Sequence, residues 1–249
     1  MNWRLLSVLD KDAALLDEAS LPEGATVHLC DVLPLSQGRR LAFPLPSATA
    51  MMLSSSRQAH EAARVHLEHP SLRRELGGVV YFASNESALD CCEHLIASVI
   101  SAYTALECFA NEWVPAWVTY KHFKKGSQEF VLLDKEEIER SLNLREKLAV
   151  VLPYSFQKSG PKGTQAWEAF VKLEKLRNRI IHMKEADRRE SDSETDTLWK
   201  AIFAISAPHR TAKKIIDHFL DGCPYIPGVQ YDKLLPVRPR WHVEYPCKD

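Results

Sequence analysis

Between residues 85 and 115 apolar side chains return every three or four positions. Leu89, Cys92, Ile96, Val99, Tyr103, Leu106, Ala110 and Trp113 follow steps of 3, 4, 3, 4, 3, 4 and 3. That is one face of an α-helix of roughly seven turns, and Pro115 ends it. Asp134 opens another helix, with Glu137 placed three residues on to complete a capping box. Its inward positions are Ile138, Leu142, Leu148 and Leu152; Asn143 divides it and Pro153 closes it. Thr164 caps a third helix that runs to about Lys184, with Trp167, Phe170, Leu173, Leu176, Ile180 and Met183 apolar. Two shorter helical segments follow over residues 197–205 and 209–220, with Pro208 at the start of the second.

The first part of the chain has a different rhythm. Residues 26–33 and 39–45 are short apolar-rich runs separated by Ser36-Gln37-Gly38 and punctuated by Pro34, Pro44 and Pro46. They predict short strands, among them a hairpin. The run Ser54-Ser55-Ser56 is expected to end this region. A short helix over 58–69 is stopped by Pro70, and 78–83 is either a further strand or a buried lead into the long helix. Residues 185–196 form a polar, mostly acidic connector, and the tail from Pro224, with prolines at 227, 236, 239 and 246, is expected to be extended over the bundle. The expected organisation is therefore a β-containing N-terminal region (1–84), a helical domain (85–222) and a Pro-rich tail (223–249). The fold class is mainly α: a helical bundle with a small β-containing N-terminal region.

Composition narrows the function classes. With 45% apolar and 26% charged residues, the chain can bury a core and is not disordered as a whole. A net charge of −1 over 249 residues excludes a global basic field, so any nucleic-acid contact must come from a local patch. Only 9 residues are glycine, which argues against a Gly-rich phosphate loop. Six cysteines without a C-x-x-C pair fit a reduced, cytoplasmic protein. Cys91 and Cys92 beside His94 invite a metal reading, but adjacent helical residues point about 100° apart, and buried thiols account for them better. Neither a metal nor a cofactor is expected. The apolar start gives way at once to Asp10, Lys11 and Asp12, unlike a signal peptide. The uncharged stretch over 94–106 is shorter than the roughly 20 residues of a membrane span, so no membrane partner is expected.

The chemistry-bearing segment is Lys175-Leu176-Arg177-Asn178-Arg179-Ile180-Ile181-His182, near the end of the third main helix. A guanidinium can neutralise a phosphate with paired charge-assisted hydrogen bonds. An imidazole that titrates near neutrality can take a proton from a ribose 2′-hydroxyl or give one to the leaving 5′-oxygen. RNA carries its own nucleophile, so such a site needs no metal. Arg177 and His182 stand five residues apart, about 140° around an ideal helix, whereas Asn178 and His182 share a face. Asn178 is then placed to orient His182, with Arg177 reaching around or serving the His182 of a second subunit. The residues taken alone favour a plainer reading, with Arg177 paired to Glu174 on a solvated face and His182 closing a helix.

The string R-N-x-x-x-H, here Arg177, Asn178 and His182, resembles the signature of the HEPN superfamily. The segment Ala105-Leu106-Glu107-Cys108-Phe109-Ala110-Asn111-Glu112 on the long helix is similar to the A-L-E-x-F-x-N-E of helical HEPN proteins. Ser141-Leu142-Asn143-Leu144-Arg145-Glu146-Lys147-Leu148, with Leu152-Pro153, resembles the stretch between them. The resemblance covers about residues 85–222 and implies a HEPN-like helical bundle. It also implies a metal-independent endoribonuclease, often a toxin or defence effector, working as a homodimer with the two motifs facing each other. Arg177 and His182 would be catalytic and Asn178 supporting. Glu107 would line the cleft as a supporting acidic residue, or pair with a nearby Lys or Arg.

RNA contacts are expected from Lys121, Lys124 and Lys125, in the densest basic cluster, which also holds Phe123, and from Arg240 beside Trp241. Either cluster can also be read as a solvated surface. RNA is the implied partner, with an antitoxin or nucleotidyltransferase as a further one. The acidic connector over 185–196 is expected to lie away from the cleft. The alternative from a different class is a non-catalytic HEPN-like module for dimerisation or nucleotide sensing.

Overall fold

The computed structural model describes residues 7–9, 26–28, 30–44, 46–68, 73–123, 126, 129–188 and 197–220. The protein is mainly helical. The helices are α1 (Ala48–Glu68), α2 (Asn85–Trp113), α3 (Lys135–Ser141), α4 (Leu144–Glu146), α5 (Leu152–Phe156), α6 (Gln165–Ile181), α7 (Leu198–Ala204) and α8 (Pro208–Leu220). The strands form antiparallel pairs: β1 (Ser7–Leu9) with β2 (Thr26–His28), β3 (Cys30–Pro34) with β4 (Arg40–Pro44), β5 (Arg73–Leu76) with β6 (Val79–Phe82), and β7 (Tyr120–Phe123) with β8 (Phe130–Leu133). Packing divides the described residues into two compact units. One draws on Met1–Met51, Cys108–Gly160 and Phe219–Asp249, the other on Met52–Glu107 and Pro161–His218.

The local signals for helix ends are realised in the structure. Asp134 caps α3 by accepting from the Glu137 amide at 2.9 Å, and the Glu137 side chain takes the Asp134 amide at 3.0 Å. Asn143 breaks the segment as expected and caps α4 through the Glu146 amide. Thr164 caps α6, and Thr197 caps α7. The β3–β4 hairpin turns through Ser36–Gly38, where the runs on either side had placed a turn.

Other expectations are corrected. The helix expected over 58–69 begins ten residues earlier, at Ala48, and the three serines lie inside it. Ser55 faces solvent, Ser54 Oγ accepts from Gln58 Nε2 at 3.0 Å, and Ser56 is paired across to α2. Ser56 Oγ donates to the Ser98 carbonyl at 2.8 Å and Ser98 Oγ donates back to the Ser56 carbonyl at 2.9 Å, letting α1 and α2 approach closely. Pro153 does not close its helix. The five residues Lys147–Val151 make a π turn, after which Pro153 falls in the first turn of α5, where its missing N–H costs nothing. Gln157, in the left-handed region at φ 52°, ends the segment instead. Gly160 then passes so close that a Cβ there would meet the Ala149 carbonyl oxygen at 3.1 Å.

The buried surface of α2 is wider than the stripe read off the sequence, and Leu89 at its start lies outside it. Leu89 is 62% exposed, while Cys91, Leu95, Ser98, Ala102, Ala105 and Phe109 are buried beside Val99, Tyr103, Leu106 and Ala110. The helix is covered on more than one side, which a single stripe does not capture. The lead into α2 is a hairpin rather than a lone strand: Gly77 and Gly78, both at positive φ, join β5 to β6 in a two-residue turn. The hairpin β7–β8 was not expected, so β structure is not confined to the N-terminal region.

In the first unit Phe109, Trp113, Phe156 and Phe219 form a connected aromatic cluster with ring centroids 5.5–6.0 Å apart. Around it, polar side chains close helix ends. Lys135 Nζ donates to the carbonyls of Asn111 and Val114, and the buried Lys147 donates to Asn111 Oδ1 at 2.8 Å and to the Glu139 carbonyl at 2.7 Å. Both cations therefore sit at the negative end of α2. The Glu112 carboxylate accepts from the Thr49 hydroxyl at 2.7 Å and the Thr49 amide at 3.3 Å, capping the start of α1. Asn111 and Glu112, the last two residues of the segment similar to A-L-E-x-F-x-N-E, thus hold the fold together.

In the second unit Leu95, Val99, Leu173, Leu198, Ile202, Ile215 and Ile216 are almost wholly buried. Truncating a core leucine such as Leu173 to alanine is expected to cost about 2–5 kcal/mol.

Candidate active site

The site is built where α6 meets α2 in the second unit. Thr164 sets where α6 begins, and Phe170, Leu173 and Leu176 seat its apolar face. Phe170 stacks on Tyr103 of α2 with the rings 8° from parallel and their centres 6.4 Å apart, and Trp167 packs on Phe170 with ring centres 5.0 Å apart. Tyr103 is only 6% exposed, and its hydroxyl donates to Oε1 of the buried Glu174 at 3.4 Å. Burial, then the charges of Glu174 and Glu107, push the phenol well above its ordinary range, so it stays a donor at any working pH.

This ring is a seat for Arg177. The guanidinium carbon lies 4.8 Å from the centre of the Tyr103 ring, a cation–π contact. Arg177 Nη1 also donates to Asn178 Oδ1 at 3.0 Å. The Asn178 main-chain carbonyl in turn accepts the His182 amide at 2.9 Å. Asn178 therefore touches both partners, Arg177 by its side chain and His182 through the backbone. His182 is the residue at which α6 stops: its φ of −114° and ψ of 49° leave the helical region, and it is exposed. Glu107 is half-buried on α2, four residues after Tyr103.

The first turn beyond His182, Glu185–Arg188, is not a solvated strand of acid. Asp187 is 1% exposed and is bound by Arg179, with Nη2 at 2.6 Å and Nε at 3.1 Å. It also accepts the amides of Leu198 at 2.9 Å and Lys184 at 3.2 Å, while the Trp199 indole donates to its carbonyl at 2.8 Å. Arg179 holds the Asp187 carboxyl below its ordinary range. The first turn of the connector, Glu185–Arg188, folds onto α6 because a buried carboxylate needs a cation, and Arg179 supplies one.

Of the residues expected from the sequence, the structure connects Arg177, Asn178 and His182 on α6 and its cap, and places Glu107 one turn along α2 from Tyr103. Lys121 stands exposed on β7, with its Nζ 4.8 Å from the centre of the Phe130 ring. Lys124, Lys125 and Arg240 lie outside the described residues, as do residues 189–196 and the tail. Neither Tyr103 nor Asp187 is expected at the site from the sequence, and Glu174, which the plainer reading puts on a solvated face, is buried and accepts from the Tyr103 hydroxyl. Tyr103 had been counted only as one apolar position of a helix face, and nothing in the sequence pairs it with a residue of α6.

Cys91 is buried, with its thiol pushed up to about 11 by burial, and its Sγ donates to the Ala63 carbonyl at 3.7 Å. Among the described residues no group of His, Cys, Asp and Glu converges as a metal site would require. No helix of the described residues is long and apolar enough to cross a membrane. No family model, curated protein or solved structure matches the chain.

Proposed function

We propose that the chain is a metal-independent endoribonuclease of the HEPN type that acts as a toxin or defence effector. The observation that supports it most directly is the seating of Arg177 on the buried Tyr103 ring, tied through Asn178 to the helix end that carries the exposed His182. Stacking uses the flat face of the guanidinium and leaves donor edges for a phosphate.

In this reading His182 takes the proton of a ribose 2′-hydroxyl. The 2′-oxygen attacks the adjacent phosphorus, and the bond from phosphorus to the 5′-oxygen breaks. That oxygen leaves with a proton from an imidazolium, giving a 2′,3′-cyclic phosphate and a 5′-hydroxyl. Arg177 stabilises the charge that gathers on the non-bridging oxygens. A homodimer with two motifs facing across a two-fold axis supplies the second imidazole. RNA is the substrate, and an antitoxin or a nucleotidyltransferase is the partner that would restrain it. Glu107 supports the cleft from α2.

The test is incubation of the purified protein with bulk RNA and with tRNA, in the presence and absence of EDTA. Cleavage that survives chelation and leaves 2′,3′-cyclic ends is expected, with a DNA analogue inert. Activity abolished by EDTA and restored by Mg²⁺ would overturn the mechanism. Verified heterodimers of Arg177→Ala and His182→Ala chains are expected to recover part of the activity that each parent lacks.

A further inference from the structure

The hairpin β7–β8 presents two unlike faces. Its register pairs Lys121 with Leu132 and Phe123 with Phe130, so these four side chains share one face. All four are exposed, Phe123 and Leu132 at 58% and Phe130 at 46%. The opposite face is anchored. Leu133 is buried, the Tyr120 hydroxyl donates to Glu146 Oε1 at 2.7 Å, and His122 Nδ1 lies 3.3 Å from the same oxygen, while Val131, opposite His122, is exposed. Asp134, the cap of α3, follows β8 directly. The outward face is therefore held out by a fixed inner one, and its apolar rings gain nothing from the fold by being there.

What covers such a face is indicated by its charge and geometry. Lys121 sits over the Phe130 ring, and Phe130 meets Phe123 at 5.8 Å with the rings tilted by 58°. Phe123 is thus an exposed ring beside a cation. Residues 120–133 also carry Lys124 and Lys125 against a single acidic residue, Glu129. Flat aromatic faces beside the Lys121 cation match a chain of bases and phosphates, whereas an apolar protein groove gains nothing from that charge.

We infer that the outer face of β7–β8 binds single-stranded RNA, with Phe123 stacking on a base and Lys121 engaging a backbone phosphate. The inference deepens the proposed nuclease function, whose substrate this face would hold.

The test separates binding from cleavage. A fluorescent single-stranded 2′-O-methyl oligonucleotide lacks the nucleophile and reports binding by anisotropy. Phe123→Ala is expected to weaken it about tenfold, Phe123→Trp to bind like the parent, and Phe123→Ile to behave like Phe123→Ala. Phe123→Ile keeps an apolar, strand-forming side chain, so it decides the matter where Phe123→Ala folds poorly. Lys121→Ala is expected to reduce the slope of log affinity against log salt by about 0.7. Unchanged binding by Phe123→Ile overturns the inference. So does a concentration-dependent dimer that Phe123→Ile abolishes without touching oligonucleotide affinity, which would make this face a protein interface. Binding through the hairpin without RNA cleavage would sink the nuclease reading alone. Cleavage with KM unchanged in Phe123→Ile would sink this inference alone.

Discussion

The guanidinium of Arg177 rests 4.8 Å from the centre of the Tyr103 ring, and the Tyr103 hydroxyl reaches back to Glu174, one turn before Arg177 on the same helix. Tyr103 is in this sense a positioning residue: it fixes where the arginine stands and need not touch a substrate. Tyr103→Phe keeps the ring and loses the hydrogen bond, while Tyr103→Leu removes the aromatic face. We expect Tyr103→Phe to retain most of the RNA cleavage and Tyr103→Leu to lose roughly tenfold or more, in keeping with about 1–2 kcal/mol for a partly desolvated cation–π contact. Kinetics over a range of RNA concentrations checks this; equal losses in both variants would show that the ring face is not what matters.

Arg177→Lys preserves charge but not the forked, stacking guanidinium, and should lose most activity. His182→Ala should be inactive and folded, because His182 is exposed at the end of α6 and removes no buried contact. Thermal melts alongside cleavage assays decide. A His182→Ala protein that melts far below the parent while its folded fraction cleaves normally would remove His182 from the site.

A histidine pair elsewhere in the second unit gives a pH signature unrelated to the motif. His60 of α1 and His209 of α8 lie with ring centres 5.8 Å apart, and both Nδ1 atoms are buried without a hydrogen-bond partner. Burial, then His60, Arg210 and Arg57, lower His209 to about 4. Burial, then Arg64 and Arg210, lower His60 against the opposing pull of Glu61 and Glu68. The folded state thus disfavours the protonated forms. Their contribution to stability is complete above the ordinary histidine value, near pH 6.5, and is lost as pH falls from there towards 4. The loss at His209 is at most about 3 kcal/mol, less with solvent screening. Urea denaturation at pH 7.5 and pH 5 should show it, and His209→Leu should flatten the dependence.

Asp187 works in the opposite direction. Its carboxyl is held below the ordinary range by Arg179, so its stabilisation is present above about pH 4 and disappears as pH falls further. Asp187→Asn should melt lower than the parent at pH 7, with the difference narrowing by pH 3. Because Asp187 ties the chain after His182 to α6, the same variant should also lower RNA cleavage at neutral pH. A variant as stable and as active as the parent would show that the Arg179–Asp187 contact does not order this end of the helix.

What the sequence determined by itself was local. The capping box at Asp134 and Glu137, the caps Asn143, Thr164 and Thr197, and Pro208 at the head of α8 are satisfied within a few residues of themselves. The 3–4 spacing of α2 and the order Arg177, Asn178, His182 were legible for the same reason. Tertiary structure decided what depended on a distant partner. Ser54, Ser55 and Ser56 read as a break until Ser98 of α2 supplies hydrogen-bond partners for Ser56, and Pro153 reads as a stop until a π turn shifts the ladder ahead of it. The hairpin β7–β8 was hidden because each strand is only four residues long and one face is exposed although apolar, so alternation carried no signal. The seat of Arg177 was hidden most deeply. Tyr103 and Glu174 are 71 residues apart, and only the packing of α6 on α2 brings a ring, a carboxylate and a guanidinium to one point.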